Sequence, residues 1–517
     1  MKEARSDDLV PLRGRLRIIL PTLAIAVAYA GAMVTTNTRI ALLDDEAIIV
    51  AIAAHPVAHT IKLFLTGSWQ HEHPPFSDIL LHGWLLLTHS SLFTLRIFAN
   101  LFYIGSTITS AITAGRLAGI RAYWSTLLLA FTWPFALQYG RIAGWYSVAM
   151  FLLSAATLVY FEILDDRSPW PWIAFGFVSI LLVWTNYFGV VLLLLFCADL
   201  ILFHRALVRR RTVLLALTSM AVAVAFLPLV RAALFSLQSA PPGMSNASTL
   251  MSWLASAAYP VYSIFASVAI APWYWVLSVP VAIASCALLI AVWFSRGRRW
   301  LVYFGLALLA LVITQHLTIK RVTFLLPWFF LAVGLAIADS GRRCSKVALY
   351  AAALLVACGL TGIASGRHYA TTNLYEPWEH VARVVAPEAR SGETVVTNNP
   401  QLFLYLDDQL GLSSELRLSD GPDLGAKLYK AHGYSILDSD VTGEPRSLHG
   451  RVVMVLGSGI LEDVNAMNEL NRTLAGRCMK LWVYLAAPDP AIAWKQHLTP
   501  QVPVLAYRIE AVWYDCP

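Results

Sequence analysis

Apolar runs near or above the roughly 20 residues needed to cross hydrocarbon recur from the N-terminus to about residue 365. That recurrence limits the fold more than any motif does. Backbone inside a bilayer must satisfy its own polar groups, so runs of this length are read as helices. Composition agrees, with 58% hydrophobic and 13% charged residues and a mean hydropathy of +0.62. A soluble domain carries about 25% charged residues. The runs fall near 18–36, 78–92, 95–115, 122–138, 144–163, 171–187, 188–205, 212–231, 273–295, 301–318, 322–339 and 347–365, about 12 in all. The first follows Arg13, Arg15 and Arg17, outlasts a signal-peptide core and has no small-residue cleavage site, which predicts a retained helix.

Basic residues cluster between runs: Arg13 to Arg17, Arg209-Arg210-Arg211, Arg296 with Arg298-Arg299, and Arg342-Arg343 with Lys346. The net charge of +7 therefore reports orientation, with these turns cytoplasmic, and no nucleic-acid partner is expected. The N-terminus is then cytoplasmic, and the segments 37–77, 232–272 and Gln315 to Arg321 lie on the other side with residues 366–517. Such a chain needs an odd number of crossings. One segment between 78 and 205 is therefore misread, and the short run 78–92 and the unpunctuated stretch 171–205 are the candidates.

The fold class expected is a polytopic α-helical membrane protein of about 12–13 helices, with a transmembrane domain over 1–365 and an extracytoplasmic α/β domain over 366–517. In the tail, 393–398, 451–456 and 505–514 read as strands, and 377–387 and 462–476 as helices. Gly457-Ser458-Gly459 after a strand reads as an ordinary turn. The tail holds two of the six cysteines, Cys478 and Cys516; an oxidising compartment would allow a disulfide between them, with two free thiols the alternative.

Polar residues concentrate in the 37–77 segment. Asp44, Asp45 and Glu46 follow the first run, where adjacent carboxylates and partial desolvation suit one of them to proton abstraction. A solvated helix start, favoured by the helix dipole, is the plainer reading. The stretch after them is interrupted by His55-Pro56, His59 and Lys62, which favours two amphipathic interfacial helices over a crossing. His55 and His59 have the i, i+4 spacing of a metal pair, with the proline between them opposing a clean helix. In His71-Glu72-His73-Pro74-Pro75 a carboxylate lies between imidazoles before a rigid chain entry, as a proton relay, a divalent-metal site or an anion clamp. A proline-capped helix start with incidental polar neighbours is the alternative.

This order of features resembles the GT-C glycosyltransferases, and most closely the branch of protein O-mannosyltransferases and lipid A aminoarabinose transferases. The acidic pair after the first span and the HPP before the next carry the resemblance. So do Arg96 in LFTLRIFANL, the THYFG-like Thr185-Asn186-Tyr187-Phe188-Gly189 with Asn for His, and Lys320-Arg321 before Phe324-Leu325-Leu326-Pro327. Trp378 and the stretch Gly392 to Val396 resemble the start of the α/β cap of bacterial members. The family's Arg-x-Tyr meets Gly144-Trp145-Tyr146 here; Arg141, one helical turn earlier, is the candidate substitute for the arginine.

The resemblance implies a multi-pass protein of a bacterial inner membrane. It would move a sugar, with inversion, from a polyprenyl-phosphate donor to a glycolipid, polysaccharide or protein acceptor. Asp45 would be the general base with Glu46 or Asp44 adjusting it. Glu72 would orient the acceptor or a divalent metal, for which His71, His55 and His59 are the further candidates. His73 would contact the leaving phosphate. Arg96, Arg141, Tyr187, Lys320 and Arg321 would complete the substrate site. A basic pair at a span end also serves plain snorkelling. The rival classes are a secondary transporter, which would place a site at the bilayer midplane, and a scaffold subunit whose tail binds a partner.

Overall fold

The computed structural model describes residues 12–36, 44–53, 56–66, 73–88, 92–165, 168–238, 250–339 apart from 268, 271 and 273, and 343–364. Beyond these it describes 378–391, 393–397, 402, 406, 429–431, 434–438, 448–456, 471–486 and 509–517. Six helices among the described residues are long and apolar enough to cross a membrane, and four more are apolar but shorter.

The direction of each helix follows from what its ends touch. After α1 (Leu12–Thr36) come the short α2 (Asp44–Ala53), α3 (Val57–Thr66) and α4 (Phe76–Thr88), then the long α5 (Leu92–Ala118). Next are α6 (Ile120–Thr132), α7 (Pro134–Tyr139) and α8 (Trp145–Leu164). Gly119, at φ +81°, reverses the chain between α5 and α6 in one residue, a conformation glycine adopts without a Cβ penalty. Helices α5 and α8 run parallel. Near one end Arg96 and the Ala143 amide share Glu46; midway Ser106 and Ser110 bond Ser154 (2.8 and 3.0 Å); at the far end Arg116 pairs with Glu162 (2.7 Å).

Contacts at the Glu46 end resolve the parity of the chain. The Phe76 amide at the start of α4 donates to the Trp184 carbonyl, just past α9 (Trp170–Val183), at 3.0 Å. His82 Nδ1 donates to the Ala53 carbonyl that ends α2 (2.7 Å), and Trp84 Nε1 to the Thr94 carbonyl in the first turn of α5 (2.9 Å). Helix α4 therefore begins and finishes at this end, and the 78–92 run is not a crossing. Without it 11 of the 12 apolar runs remain, an odd number, as expected if the positive clusters share one side of a membrane. Hydropathy alone cannot tell an apolar helix lying across a bundle end from one that traverses it.

Helix α10 (Gly189–Phe203) leads to the basic α11 (Arg205–Arg210), followed by α12 (Thr212–Phe226) and α13 (Val230–Gln238). Helix α14 (Leu250–Ala266) packs at the Glu46 end against α7, and there Trp133 Nε1 donates to the Ile264 carbonyl (2.7 Å). Then follow α15 (Trp275–Trp293), α16 (Arg298–Ile313), the single turn α17 (Ile319–Val322), α18 (Leu326–Ala338) and α19 (Arg343–Ala364). Helix α18 is the axis of the bundle, buried at every residue from Leu326 to Ala336. It meets Trp133, Phe304 and Phe196 through Phe329 and Trp328.

The opposite end carries the arginine turns and a buried polar knot. Asp199 near the end of α10 accepts hydrogen bonds from Tyr160 of α8 and from Tyr303 and Arg299 of α16, with His204 Nε2 3.6 Å away. One carboxylate thus joins three helices. Removing one partner of a buried ion pair leaves the other charge uncompensated. Arg299, however, is 37% exposed and keeps access to water, so Asp199→Ala is expected to cost about 1–3 kcal/mol through the orphaned tyrosine hydroxyls, read as a lowered midpoint in equilibrium unfolding in mixed micelles. An unchanged midpoint would show the knot to be dispensable.

The C-terminal region is α/β. Helix α20 (Trp378–Arg390) covers one face of a six-stranded sheet of order β2-β3-β1-β4-β6-β5. Its strands are β1 (Thr394–Thr397), β2 (Tyr429–Ala431), β3 (Tyr434–Asp438), β4 (Gly450–Leu456), β5 (Met479–Ala486) and β6 (Ile509–Cys516). Strand β1 lies parallel to β3 and β4, and the remaining pairs are antiparallel. Val381, Ala382 and Val385 of α20 pack with Val395, Val453, Ala511 and Trp513 on one face, while Val452, Met454, Val512 and Tyr514 fill the other. A disulfide joins Cys478 to Cys516 across the start of β5 and the end of β6. Strands β2, β3 and β5 are additions to the sequence reading, and Gly457 to Gly459 lie outside the described residues.

Candidate active site

The acidic triplet opens α2, where carboxylates complement the exposed amides of a helix start. Glu46 nevertheless turns inward and is 0% exposed. Its Oε1 accepts the Ala143 amide (2.8 Å) and its Oε2 the Arg96 guanidinium (3.4 Å), itself fully buried on α5. The next apolar positions of α2, Ile49 and Val50, are buried with it. Glu46 therefore ties α2, α5 and the α7–α8 junction together, a different task from adjusting a neighbouring base. Asp44 and Asp45 stand in the same first turn; their side chains, with His55, His71 and Glu72, lie outside the described residues.

Gly144 shapes the junction. At φ +154° and ψ −166° it holds a conformation L side chains avoid, and a Cβ there would meet the Ile49 Cδ1 at 2.9 Å. The backbone conformation is the stronger constraint against a larger residue there, since the Ile49 methyl is the end of a flexible side chain. Arg141, buried two residues before Ala143, lies within electrostatic reach of Tyr29 in α1.

Trp145, fully buried at the first turn of α8, is the hub of an aromatic relay. His73 lies against its ring at 4.6 Å between centroids, Tyr146 at 4.2 Å and Phe324 at 5.9 Å. The His73-Pro74-Pro75 entry and the α17–α18 junction thereby converge on one helix start. Arg321 on α17 is buried, its amide donating to the capping Thr318 hydroxyl at 3.2 Å, while Lys320 is half-buried. Burial inside the bundle separates Arg321 from a snorkelling side chain, whose charge reaches water. His316, also buried, packs against Phe188 (5.6 Å).

Thr185-Asn186-Tyr187-Phe188-Gly189 forms the α9–α10 turn. Asn186 Oδ1 accepts the Phe188 amide at 2.8 Å, an Asx-type closure by which asparagine serves the backbone here. Tyr187 is half-buried, and its hydroxyl carries no hydrogen bond. Helix α3 (Val57–Thr66) carries His59, while His55 lies outside the described residues. Among the described residues no three His, Cys, Asp or Glu side chains gather as a metal site.

The structure thus assembles Glu46, Arg96, Arg141, His73 and Arg321 at the end of the bundle opposite the arginine turns. Sequence reading missed Trp145 as an organiser, together with buried Gln138, which accepts from Ser267 beyond α14. Neither carries a periodic or charge signal. Glu46→Ala and Arg96→Ala are each expected to cost about 3–5 kcal/mol, and the double variant should fall short of their sum by about 0.5–3 kcal/mol. Strict additivity in mixed-micelle unfolding would refute the coupling.

No protein-family profile matches the chain, and no curated protein matches it. Among solved structures it is similar to the crystal structure of ArnT from Cupriavidus metallidurans bound to undecaprenyl phosphate. Identity is 14% over 96% of this chain and 98% of that chain, with a TM-score of 0.49. It is also similar to the same protein in the apo state, at 15% identity over the same shares, with a TM-score of 0.42.

Proposed function

We propose that the chain is a glycosyltransferase that takes a sugar from a polyprenyl phosphate and passes it to an acceptor, with inversion. One observation carries the reading. Segments that resemble GT-C motifs, although more than 200 residues apart in sequence between Glu46 and Arg321, meet at one end of the bundle around Glu46, Trp145 and Arg321. By the positive-inside rule that end is extracytoplasmic, because the arginine turns occupy the other. The division at residue 365 into a membrane part and an α/β part belongs to the same reading.

In the proposed reaction Asp45 takes the proton of an acceptor hydroxyl or amine. The freed electron pair attacks the anomeric carbon from the side opposite the phosphate. The carbon–oxygen bond to the phosphate breaks, its electrons leave with the polyprenyl phosphate, and the configuration inverts. Charge develops on that phosphate, so His73, Arg321 and Lys320 supply cationic or hydrogen-bonding stabilisation where it appears. Glu46 and Arg96 hold the first turn of α2, and with it Asp45, in register with the α8 start. Glu72 would orient the acceptor or hold a divalent ion supplying Lewis acidity to the phosphate.

A transporter would need a polar site at mid-bundle. Among the described residues the polar cluster there, Ser110, Thr113, Ser154 and Thr157 beneath Trp328, is packed without room for a water molecule.

Asp45→Asn is expected to abolish release of polyprenyl phosphate from lipid-linked sugar in native membranes while leaving the thermal midpoint at the wild-type value; full turnover would remove Asp45 as the base. Arg321→Ala should weaken binding of undecaprenyl phosphate about tenfold, read by thermal-shift titration. Unchanged affinity would return Arg321 to a packing role.

A further inference from the structure

Strand β5 forms an edge of the sheet and keeps large apolar side chains in the open. Met479, Leu481, Trp482, Val483 and Leu485 are all exposed. Exposed edges usually carry charge or proline against unwanted pairing, whereas Lys480 is the one charged residue of this strand. Trp482 stands out. It is 44% exposed and lies flat on Trp513 of β6, with ring centroids 3.5 Å apart and planes 13° apart. Trp513 is 2% exposed, so one face of Trp482 is covered and the other is presented to solvent.

The surroundings are charged. Residues two apart on a strand share a face. Asp515 and Arg451, opposite one another in the β4–β6 register, therefore lie beside Trp513 and Val453, and Glu393 lies beside Val395 of β1. Arg451 Nη1 donates to Glu393 Oε1 (3.2 Å), while Glu393 Oε2 is buried and the Glu388 carboxyl lies against the same carboxylate. Glu388, at the end of α20, adjoins both Glu393 and Trp513; burial, then the Glu393 carboxylate, push its own carboxyl up. The Trp513 indole N–H, buried in this cluster, makes no hydrogen bond that meets normal geometry.

A flat aromatic face beside hydrogen-bonding carboxylates and a guanidinium matches the two sides of a pyranose. The C–H bonds on one face of the ring carry partial positive charge and favour the negative face of an indole. The hydroxyls around its rim are donors and acceptors that meet charged partners most strongly. We infer that Trp482, backed by Trp513 and with the Glu388, Glu393 and Arg451 cluster on the Trp513 side of the stack, is a glycan-binding platform. It is separate from the site around Glu46 and takes pyranose rings of an oligosaccharide or polysaccharide. The inference stands on the α/β domain alone. Combined with the transferase reading, it favours a glycan as the acceptor held near the membrane.

The full chain, reconstituted in lipid nanodiscs so that no glycoside detergent competes, would be applied to a printed glycan array. Wild-type protein is expected to bind a subset of pyranose-containing glycans. Trp482→Ala should reduce those signals about tenfold and Trp482→Phe should retain part of them. Arg451→Ala, at a mostly exposed side chain, should reduce them independently and guards against a folding defect at Trp482. An array on which wild-type protein binds nothing, or binding that survives Trp482→Ala, would overturn the platform. Stabilisation by undecaprenyl phosphate, measured on the same preparations, should be unchanged in all three variants. Its absence in wild type, with glycan binding intact, would count against the transferase reading and leave the platform standing.

Discussion

Glu46, buried and shared between the Arg96 guanidinium and the Ala143 amide, is the contact on which the arrangement of this molecule turns. A carboxylate removed from water is tolerable when a cation and hydrogen-bond donors replace its hydration. Here the donors come from two separate parts of the chain, so satisfying the charge obliges α2, α5 and the start of α8 to meet. That one requirement draws the first turn of α2 against the bundle. It also places the start of α5 at the same end as α2, which in turn prevents α4 from crossing.

The two ends of the bundle solve their polar problems differently. At the arginine end, Asp199 collects two tyrosine hydroxyls and a guanidinium into a closed knot joining α8, α10 and α16. Its hydrogen-bonding capacity is consumed by the protein, as suits a structural clamp. At the Glu46 end, by contrast, the charged and aromatic groups come from five segments and several lie in short junctions. Lone turns such as α17, or the Gly144 reversal, are expensive as structure, yet they aim side chains at a common point. That asymmetry supports chemistry at one end and anchoring at the other.

Much of the fold was legible because hydrocarbon is an unforgiving solvent. Each stretch rich in Leu, Val and Phe had to become a helix, and the arginine turns had to lie together. The strands around Val395, Val453 and Val512 were legible for a similar reason, as short apolar runs between turn residues. Strand β5 was harder to read because its apolar residues face both ways and stay exposed, so neither alternation nor burial marks it. The sequence let a candidate site be proposed as motifs in order, and the structure brings His73, Arg96 and Arg321 of that set to one end of the bundle; its internal organisation was not legible.

The sequence by itself determined which segments are apolar, where positive charge gathers between them, and which polar residues have to be accounted for, since these follow from local transfer free energies. Tertiary structure alone decided that the 78–92 run lies across one end, since identical hydropathy serves a lying or a crossing helix. It paired Glu46 with Arg96 over 50 residues and gave Asn186 a backbone partner. It fixed Gly144 in a backbone conformation that favours glycine, and set Trp145 between His73 and Phe324. Each depends on where a distant segment comes to rest, and no local propensity encodes that.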